Sequence, residues 1–525
     1  MREDVRRSLK LNRDINKLLE QAVKVDRAIK IGWNRDGDEI PKVGEMGICP
    51  ALPKGGRVRI LGELGDAVAI MGTGGAFTLV GSAGDWFGAW NQGSSLAIER
   101  RVGNSLGFAM SGGRLVARDG AGDDVGAQMT GGLLVVRGDV GTRVGGGMSG
   151  GTIVIHGDVG SEPGVGMTGG KIIINGRCPN PGDGVEFSTL SSEDLVELNK
   201  NIEDSSLVIP SDAVCLIPNG KKQIPSAIGT NSSETDWTNI GLVPSDMNTS
   251  HLHRHSTIDT MVLIGERSGG DPSFEPDPVG LHLPLLPFLD SGKELKSKDL
   301  ASHPFLVRTN PREIDIMLID SENISTCQID LTNADGVILN LGDFPPLTAP
   351  ALDGVLTALR SMIGEGAPFM IMGNISAVER LHLSAAGAQV DGAIVTLDDA
   401  SGTPAAASLP KTGRSAASAK LTDRGISTGF NVVWNCTGAD LVISCCSGAE
   451  FLIASPPNDM KTPAKLVKWL LGLQSEMNSH MARIGTDSIE KLARNNLRAL
   501  DSETASISGL RLTGYERPLP HWFAS

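Results

Sequence analysis

Between residues 58 and 174 apolar side chains return in pairs at a fixed interval. Val58, Phe77, Leu96, Leu115, Leu134, Ile153 and Ile172 are 19 residues apart, and Ile60, Leu79, Ile98, Ala117, Val136, Ile155 and Ile174 repeat two positions later. Residues two apart on a strand share a face, so the pattern predicts one short buried strand repeated seven times, between about residues 53 and 177. A unit this small cannot bury its face alone, and stacking supplies the missing partner. The expected fold of residues 51–200 is a right-handed single-stranded β-helix of about seven 19-residue coils. Met110, Met129, Met148 and Met167 keep the same interval and are expected inside it as a ladder of core side chains.

The glycines follow that register too. Gly112, Gly131, Gly150 and Gly169 are one series, and the stretch 144–177 contains two matches to G-x-G-x-x-G, at Gly145-Gly147-Gly150 and Gly164-Gly166-Gly169. A dinucleotide-binding fingerprint follows a strand and opens a helix, with an acidic residue about 20 positions on. Here each match runs into a β-branched strand, and the same slots recur in coils without the fingerprint. The glycines are therefore expected at corners, where positive φ and close approach of neighbouring coils exclude a Cβ.

The pattern changes on either side. Residues 1–50 form an N-terminal helical segment with Leu11, Ile15, Leu18, Leu19, Ala22 and Val23 predicted on one side of a helix. Residues 201–300, rich in Ser, Asn and Pro, are expected as a connector. From 301 to 525 strands and helices alternate: "ADGVILNLG" (334–342), "PFMIMGN" and "DGAIVTL" read as strands, and the segments between them as helices. That order predicts a parallel sheet with crossover helices, an open sheet or part of a (β/α) barrel. "SLPKTGRSAASAKLTDRG" (408–425) is expected as a mobile loop. C-terminal helices follow, one capped by Thr462 with Pro463 at its first position, and the next started by Asp487 and Glu490.

Composition narrows the function classes. A formal charge of -14 disfavours nucleic acid and anionic membrane as partners, since phosphate binding needs clustered Lys and Arg. The N-terminus has no signal-peptide apolar core, and no apolar run reaches a membrane span. The seven cysteines contain no C-x-x-C pair, which suits a reducing cytoplasm and no zinc site.

Three short constellations bear on chemistry. His251, His253 and His255 in "HLHRH" would align three imidazoles on a strand, as a metal site could use, yet no carboxylate or cysteine ligand stands at short spacing, so no metal is assigned. Cys436, Cys445 and Cys446 lie close together, but adjacent cysteines rarely share a cluster, and both end an apolar strand-like run, which favours buried structural thiols. "MGNIS" (372–376) joins a strand to a helix, where backbone N–H groups can take a phosphate, although a plain turn has the same pattern. No local signature supports Ser/His/Asp or Cys/His catalysis.

The 19-residue coils, with their GxGxxMxGG spacing, resemble the GXGXG β-helix domain of the glutamate synthase large subunit. They are equally similar to the β-helical subunit of formylmethanofuran dehydrogenase, to which "GRCPNPGDGVEF" is the closer likeness. "ADGVILNLGD", "PFMIMGNISAVERLHLSAAGAQVDGAIV" and the C-terminal "IGTDSIEKLARNNLRALDSETASISGLRLTGYERPLP" are similar to the C-terminal part of the glutamate synthase FMN-binding barrel. The resemblance implies a truncated (β/α) barrel-like domain over 301–525, with Gly342, Asp343, Gly373 and Asn374 as cofactor-binding positions and FMN as the cofactor. It also implies reductive amination of an oxo acid within an amidotransferase–oxidoreductase system, in a homo-oligomer or a complex with a glutaminase-type or flavin subunit. The alternative is a non-catalytic scaffold or regulatory subunit. The family's Gly-Gly is Gly373-Asn374 here, and the three-cysteine motif expected after the last strand is absent from "LDDASGTPAAASLPKTG", so no iron–sulfur cluster is implied.

Overall fold

The computed structural model describes residues 2–33, 39–202, 207–220, 236–243, 283–295, 303–325, 333–398, 403–486 and 488–515, with 300, 329 and 331 as single residues. His251, His253 and His255 lie outside the described residues, as do Asp487 and Cys327. Two compact units emerge. The first comprises Met1–Ser226, Glu322–Gln328 and Leu347–Met362, and the second Ala227–Ser321, Ile329–Pro346 and Ile363–Ser525. No helix among the described residues is long and apolar enough to cross a membrane.

The first unit is built on a ten-stranded sheet. Its strands are β1 (Ile29–Ile31), β2 (Arg57–Leu61), β3 (Ala76–Val80), β4 (Ser95–Ile98), β5 (Arg114–Ala117), β6 (Thr130–Val136), β7 (Ser149–Ile155), β8 (Gly169–Ile174), β9 (Val185–Ser188) and β10 (Val214–Pro218). Strands β1 to β8 run parallel in chain order, and β10 joins β8 and β9 by antiparallel pairing. From β2 to β8 each residue pairs with the one 19 positions on, as in Val58 with Phe77 and Ile153 with Ile172, apart from a bulge at the start of β6 and of β7. All fourteen repeat positions are buried, and so are the four ladder methionines. The outer faces of β5 to β8 are covered in part by Ile202, Leu207 and Ile209, downstream of α2 (Ser192–Asn201).

The links between strands are ordered by hydrogen bonding to both neighbours. The N–H groups of Gly107, Gly126 and Gly145 donate to carbonyls 20 residues back, on Phe87, Leu106 and Val125, at 2.8–2.9 Å. A side-chain ladder runs beside them: Asp66, Asp85, Asn104 and Asp123 each accept the backbone N–H 19 residues on at 2.7–2.9 Å. One turn in each of these repeats holds three left-handed residues at alternate positions, such as Arg143, Gly145 and Gly147, or Asp124, Gly126 and Gln128. The fingerprint glycines thus divide by task. A Cβ on Gly145 would reach the Ile172 side chain at 2.5 Å, Gly147 needs only its positive φ, and a Cβ on Gly150 would strike the Thr130 carbonyl oxygen. No helix begins at any of them.

Helix α1 (Glu3–Lys24) buries Val5, Leu9, Ile15 and Leu19 together with Ser8 and Asn12, while Leu18 is 49% exposed. The buried stripe differs from the purely apolar one expected because Asn12 is held inside by two bonds. It donates to the Gly47 carbonyl and accepts from the Cys49 N–H, both at 2.8 Å. Helix α4 (Ala349–Met362) belongs to the same unit, and its Asp353 takes Arg2 at 2.6 Å.

The second unit is a closed barrel of eight parallel strands: β12 (Leu285–Ser291), β13 (Leu306–Thr309), β14 (Ile316–Ile319), β15 (Gly336–Asn340), β16 (Phe369–Asn374), β17 (Gly392–Leu397), β18 (Ser427–Val432) and β19 (Phe451–Ala454). Closure is made by β12, which pairs with both β13 and β19. The truncated barrel expected from the sequence is corrected by this. The strand count is complete because β12 begins at Leu285, in the stretch read as connector, and because β13 and β14, of four residues each, follow it before the first strand recognised in the sequence. The antiparallel pair β11 (Ile240–Leu242) and β20 (Leu497–Ala499) stands apart from the barrel.

Three local expectations are corrected as well. The Pro- and Ser-containing segment 408–425 is not a loop: α6 (Ala405–Ala419) occupies most of it, because its Ala-rich composition supports a helix and Leu409 and Pro410 are buried. The cysteine run is helical, not strand-like, in α7 (Gly438–Cys446), whose Thr437–Asp440 capping box sets its start. In α8 (Pro463–Ile484) Thr462 occupies the N-cap without a side-chain hydrogen bond. After it, Ser488 caps a 3-10 turn over Ile489–Lys491, and α9 (Ser502–Ser508) starts at Asp501, which accepts the Thr504 N–H. Helices α3 (Ser321–Ser325) and α5 (Val378–Ala388) complete the described elements named here.

Candidate functional site

Alternation along the barrel strands divides wall from lumen. Leu286, Leu306, Ile316, Leu318, Ile338, Met370, Met372, Ile394, Phe451 and Ile453 form one buried cluster, with Phe288 packed against it. Side chains two residues on share that face. One step toward the C-terminal ends, the same parity is polar: Asp290, Arg308, Asp320, Asn340, Asn374, Thr396 and Asn431. Parallel barrels carry their chemistry at this end, because loops from separate strands converge there over a packed floor.

The polar layer is organised into contacts. Arg308 donates from Nε to Asp320 at 2.7 Å, and its Nη1 lies 3.4 Å from Asp290, with the guanidinium carbon 5.5 Å from the centre of the Phe288 ring. Lys461 approaches Asp290 at 3.8 Å. Asn340 accepts the Gly342 N–H at 3.1 Å and donates to Asp343 at 2.8 Å. Asn431 donates to Thr396 at 3.2 Å. Desolvation raises the Asp343 carboxyl from its ordinary value, although the residue as a whole is exposed. The neighbouring Asp320 charge adds to the rise, against hydrogen bonds from the Ser321 backbone and Asn340 and the Arg308 charge.

The four positions singled out in the sequence fall at two neighbouring strand exits. Gly342 and Asp343 lie in a single 3-10 turn after β15, and Gly373 and Asn374 end β16. Gly342 faces the layer: a Cβ there would stand 3.0 Å from Asn374 Oδ1 and 3.2 Å from Asn340 Oδ1. Gly373 has a packing role, since a Cβ on it would meet Leu381 of α5 at 3.3 Å. Sequence reading missed Asp290, Arg308, Asp320, Asn340, Thr396 and Asn431. The usable signal was a switch from apolar to polar two residues past the last buried inward position, as in "IMLID", "GVILN" and "GAIVT".

An FMN phosphate needs backbone donors or cations, and in barrels of this kind these usually come from the loops after the seventh and eighth strands. Those exits follow β18 and β19 here. At the start of α7 the donors are already taken by carboxylates: Asp440 accepts the Thr437 N–H and Glu476 the Gly438 N–H, both at 2.8 Å. After β19, Pro456 and Pro457 lack N–H groups, and Asp459 lies in the short turn that follows. The Thr437 and Gly438 N–H groups are thus not free for a phosphate, while Lys461, after the second exit, is a cation beside Asp290. The cysteine thiols fit no exposed redox role: Cys436, Cys445 and Cys446 are buried, and desolvation pushes Cys445 and Cys446 up to about 12.

No family model matches the chain, and no curated protein matches it. Solved structures similar to part of it include a flavocytochrome b2 with sulfite bound, at 13% identity and a TM-score of 0.35, covering 55% of this chain and 84% of that one. The flavin-binding domain of baker's yeast flavocytochrome b2 matches at 13% identity and a TM-score of 0.35, over 56% and 85% of the two chains. A mandelate oxidase with an FMN adduct matches at 11% identity and a TM-score of 0.31, over 48% and 85%.

Proposed function

We propose that this chain is a glutamate-synthase-related component of an amidotransferase–oxidoreductase system, in which the barrel mouth binds a small polar molecule and the repeats form a β-helix scaffold. The observation that carries the reading is the change of the inward face from apolar to polar at the C-terminal end of a closed barrel. A buried apolar floor with a few convergent polar groups is the usual form of a small-molecule site. The quoted family motifs contribute Gly342, Asp343 and Asn374 to that layer. The 19-residue pairing and the corners bonded to both neighbours support the β-helix.

In the glutamate synthase family FMN supplies the electrons for reductive amination of an oxo acid. In this chain the seventh and eighth strand exits favour a mouth without flavin, so any flavin of the system is carried by a partner subunit. Purified full-length protein is expected to be colourless, with no saturable quenching of added FMN fluorescence. Stoichiometric FMN on the purified protein would overturn the reading.

A further inference from the structure

We propose that strand β9, at the end of the ten-stranded sheet, is a docking edge for an extended segment of a partner protein in which apolar and basic side chains alternate. The inference concerns the first unit and does not depend on the barrel mouth. Topology is the first argument. Strand β9 is terminal in the sheet and pairs only with β10 among the described residues, so its outer edge presents backbone N–H and C=O groups to a further strand. Burial is the second argument. Val185 and Leu216 are buried in the core of the repeats. Phe187 shares the face of Val185, two residues away, and lies opposite Leu216, yet it is 54% exposed. The apolar face therefore runs on past the last buried pair and is left open at Phe187, where a strand added beside β9 would cover it.

Charge decides the occupant. The stretch 183–200 carries five acidic residues against one lysine, and Asp183, Glu186, Glu193 and Glu197 are exposed. Alternation puts Glu186 on the face opposite to that of Phe187, so a complementary neighbouring strand places an apolar side chain beside Phe187 and a cation beside Glu186. A second copy of the chain would bring the same carboxylates to the edge, and like charges on facing strands oppose pairing. With four residues, β9 offers few backbone bonds, which suits weak and reversible binding.

The test is fluorescence anisotropy of a short labelled peptide of alternating Val and Lys, titrated with the full chain beside a block-ordered peptide of the same composition and an alternating Val–Glu peptide. The Val–Lys peptide is expected to bind saturably, with affinity falling about tenfold or more in Glu186→Lys and in Phe187→Ser. N-methylation of all its valine amides, or of all its lysine amides, removes the donors from one edge of the peptide strand, and one of these two versions is expected not to bind. Circular dichroism of each variant separates lost binding from lost folding. Equal binding of the block-ordered peptide, or binding unchanged by both folded variants, would overturn the site. No saturable binding of the Val–Lys peptide, or preference for the Val–Glu peptide, would overturn the partner class. A wild-type dimer in sedimentation velocity that dissociates in Phe187→Ser would give the edge to a second copy and overturn the proposal.

Discussion

At the scale of single residues, the barrel unit holds two histidines in their neutral form. His303 is 3% exposed, its Nε2 has no partner among the described residues, and desolvation, with the nearby Arg312 charge, lowers its pKa to about 3. His382 is fully buried, with Nδ1 2.9 Å from Ser415 Oγ, and desolvation lowers it to about 4. Both values lie below the ordinary 6.5, so the unfolded chain binds more protons through this range and stability rises with pH. Their contribution is fully present above about 6.5 and is lost as pH falls toward the folded values. At pH 5 the cost is roughly 2 kcal/mol for each histidine, from 1.36 kcal/mol per unit. Urea unfolding of the wild type and His303→Gln at pH 7 and pH 5 checks this. The variant should lose about 2 kcal/mol less between the two, and equal losses would show that His303 is not held neutral.

At the scale of elements, the coil corner separates two reasons for glycine. Gly107 and Gly147 have nearly the same φ, +65° and +67°, but a Cβ on Gly107 would reach Leu134 Cδ1 at 2.5 Å, whereas on Gly147 its nearest neighbour is Gln128 Cγ at 3.8 Å. Gly147→Ala should therefore cost only the left-handed conformation, about 1–2 kcal/mol. Gly107→Ala adds overpacking of about 1–3 kcal/mol. Comparing the two in thermal melts tests the division, and equal destabilisation would assign all the cost to φ. The corner itself was legible in the sequence as a 19-residue glycine register. Its division into packing and conformational positions was not, because the distinction depends on which core side chain lies beneath, and left-handed Arg143 and Gln128 show that the conformation alone does not demand glycine. Helices α6 and α7 were misread for a related reason. Pro, Ser, Gly and Cys weaken the local signal, and burial against neighbouring elements decides the conformation.

At the scale of the whole molecule, the repeat unit was legible because every coil repeats one pattern, whereas barrel closure was not. Strands β13, β14 and β19 have four residues each, too few for alternation to stand out, and closure depends on pairing between Leu285 and Leu452, which are distant in sequence. The polar layer was likewise hidden, since it is assembled from one residue per strand. The repeat makes a sharper claim, that each strand of the parallel sheet interacts chiefly with its neighbours through a constant offset of 19. Deleting residues 120–138 removes one full period and lets β5 stack on β7 with Leu115 opposite Ile153 and Ala117 opposite Ile155, all still facing the core. Deleting only 120–137 moves the register by one residue, so the inward apolar set of β7 meets the outward set of β5. Far-ultraviolet circular dichroism and thermal melts of the two deletions should differ accordingly. The 19-residue deletion should keep its sheet signal and a cooperative transition at somewhat lower temperature, and the 18-residue deletion should lose both. If the two deletions behaved alike, pairing between coils would not be what fixes this half of the chain.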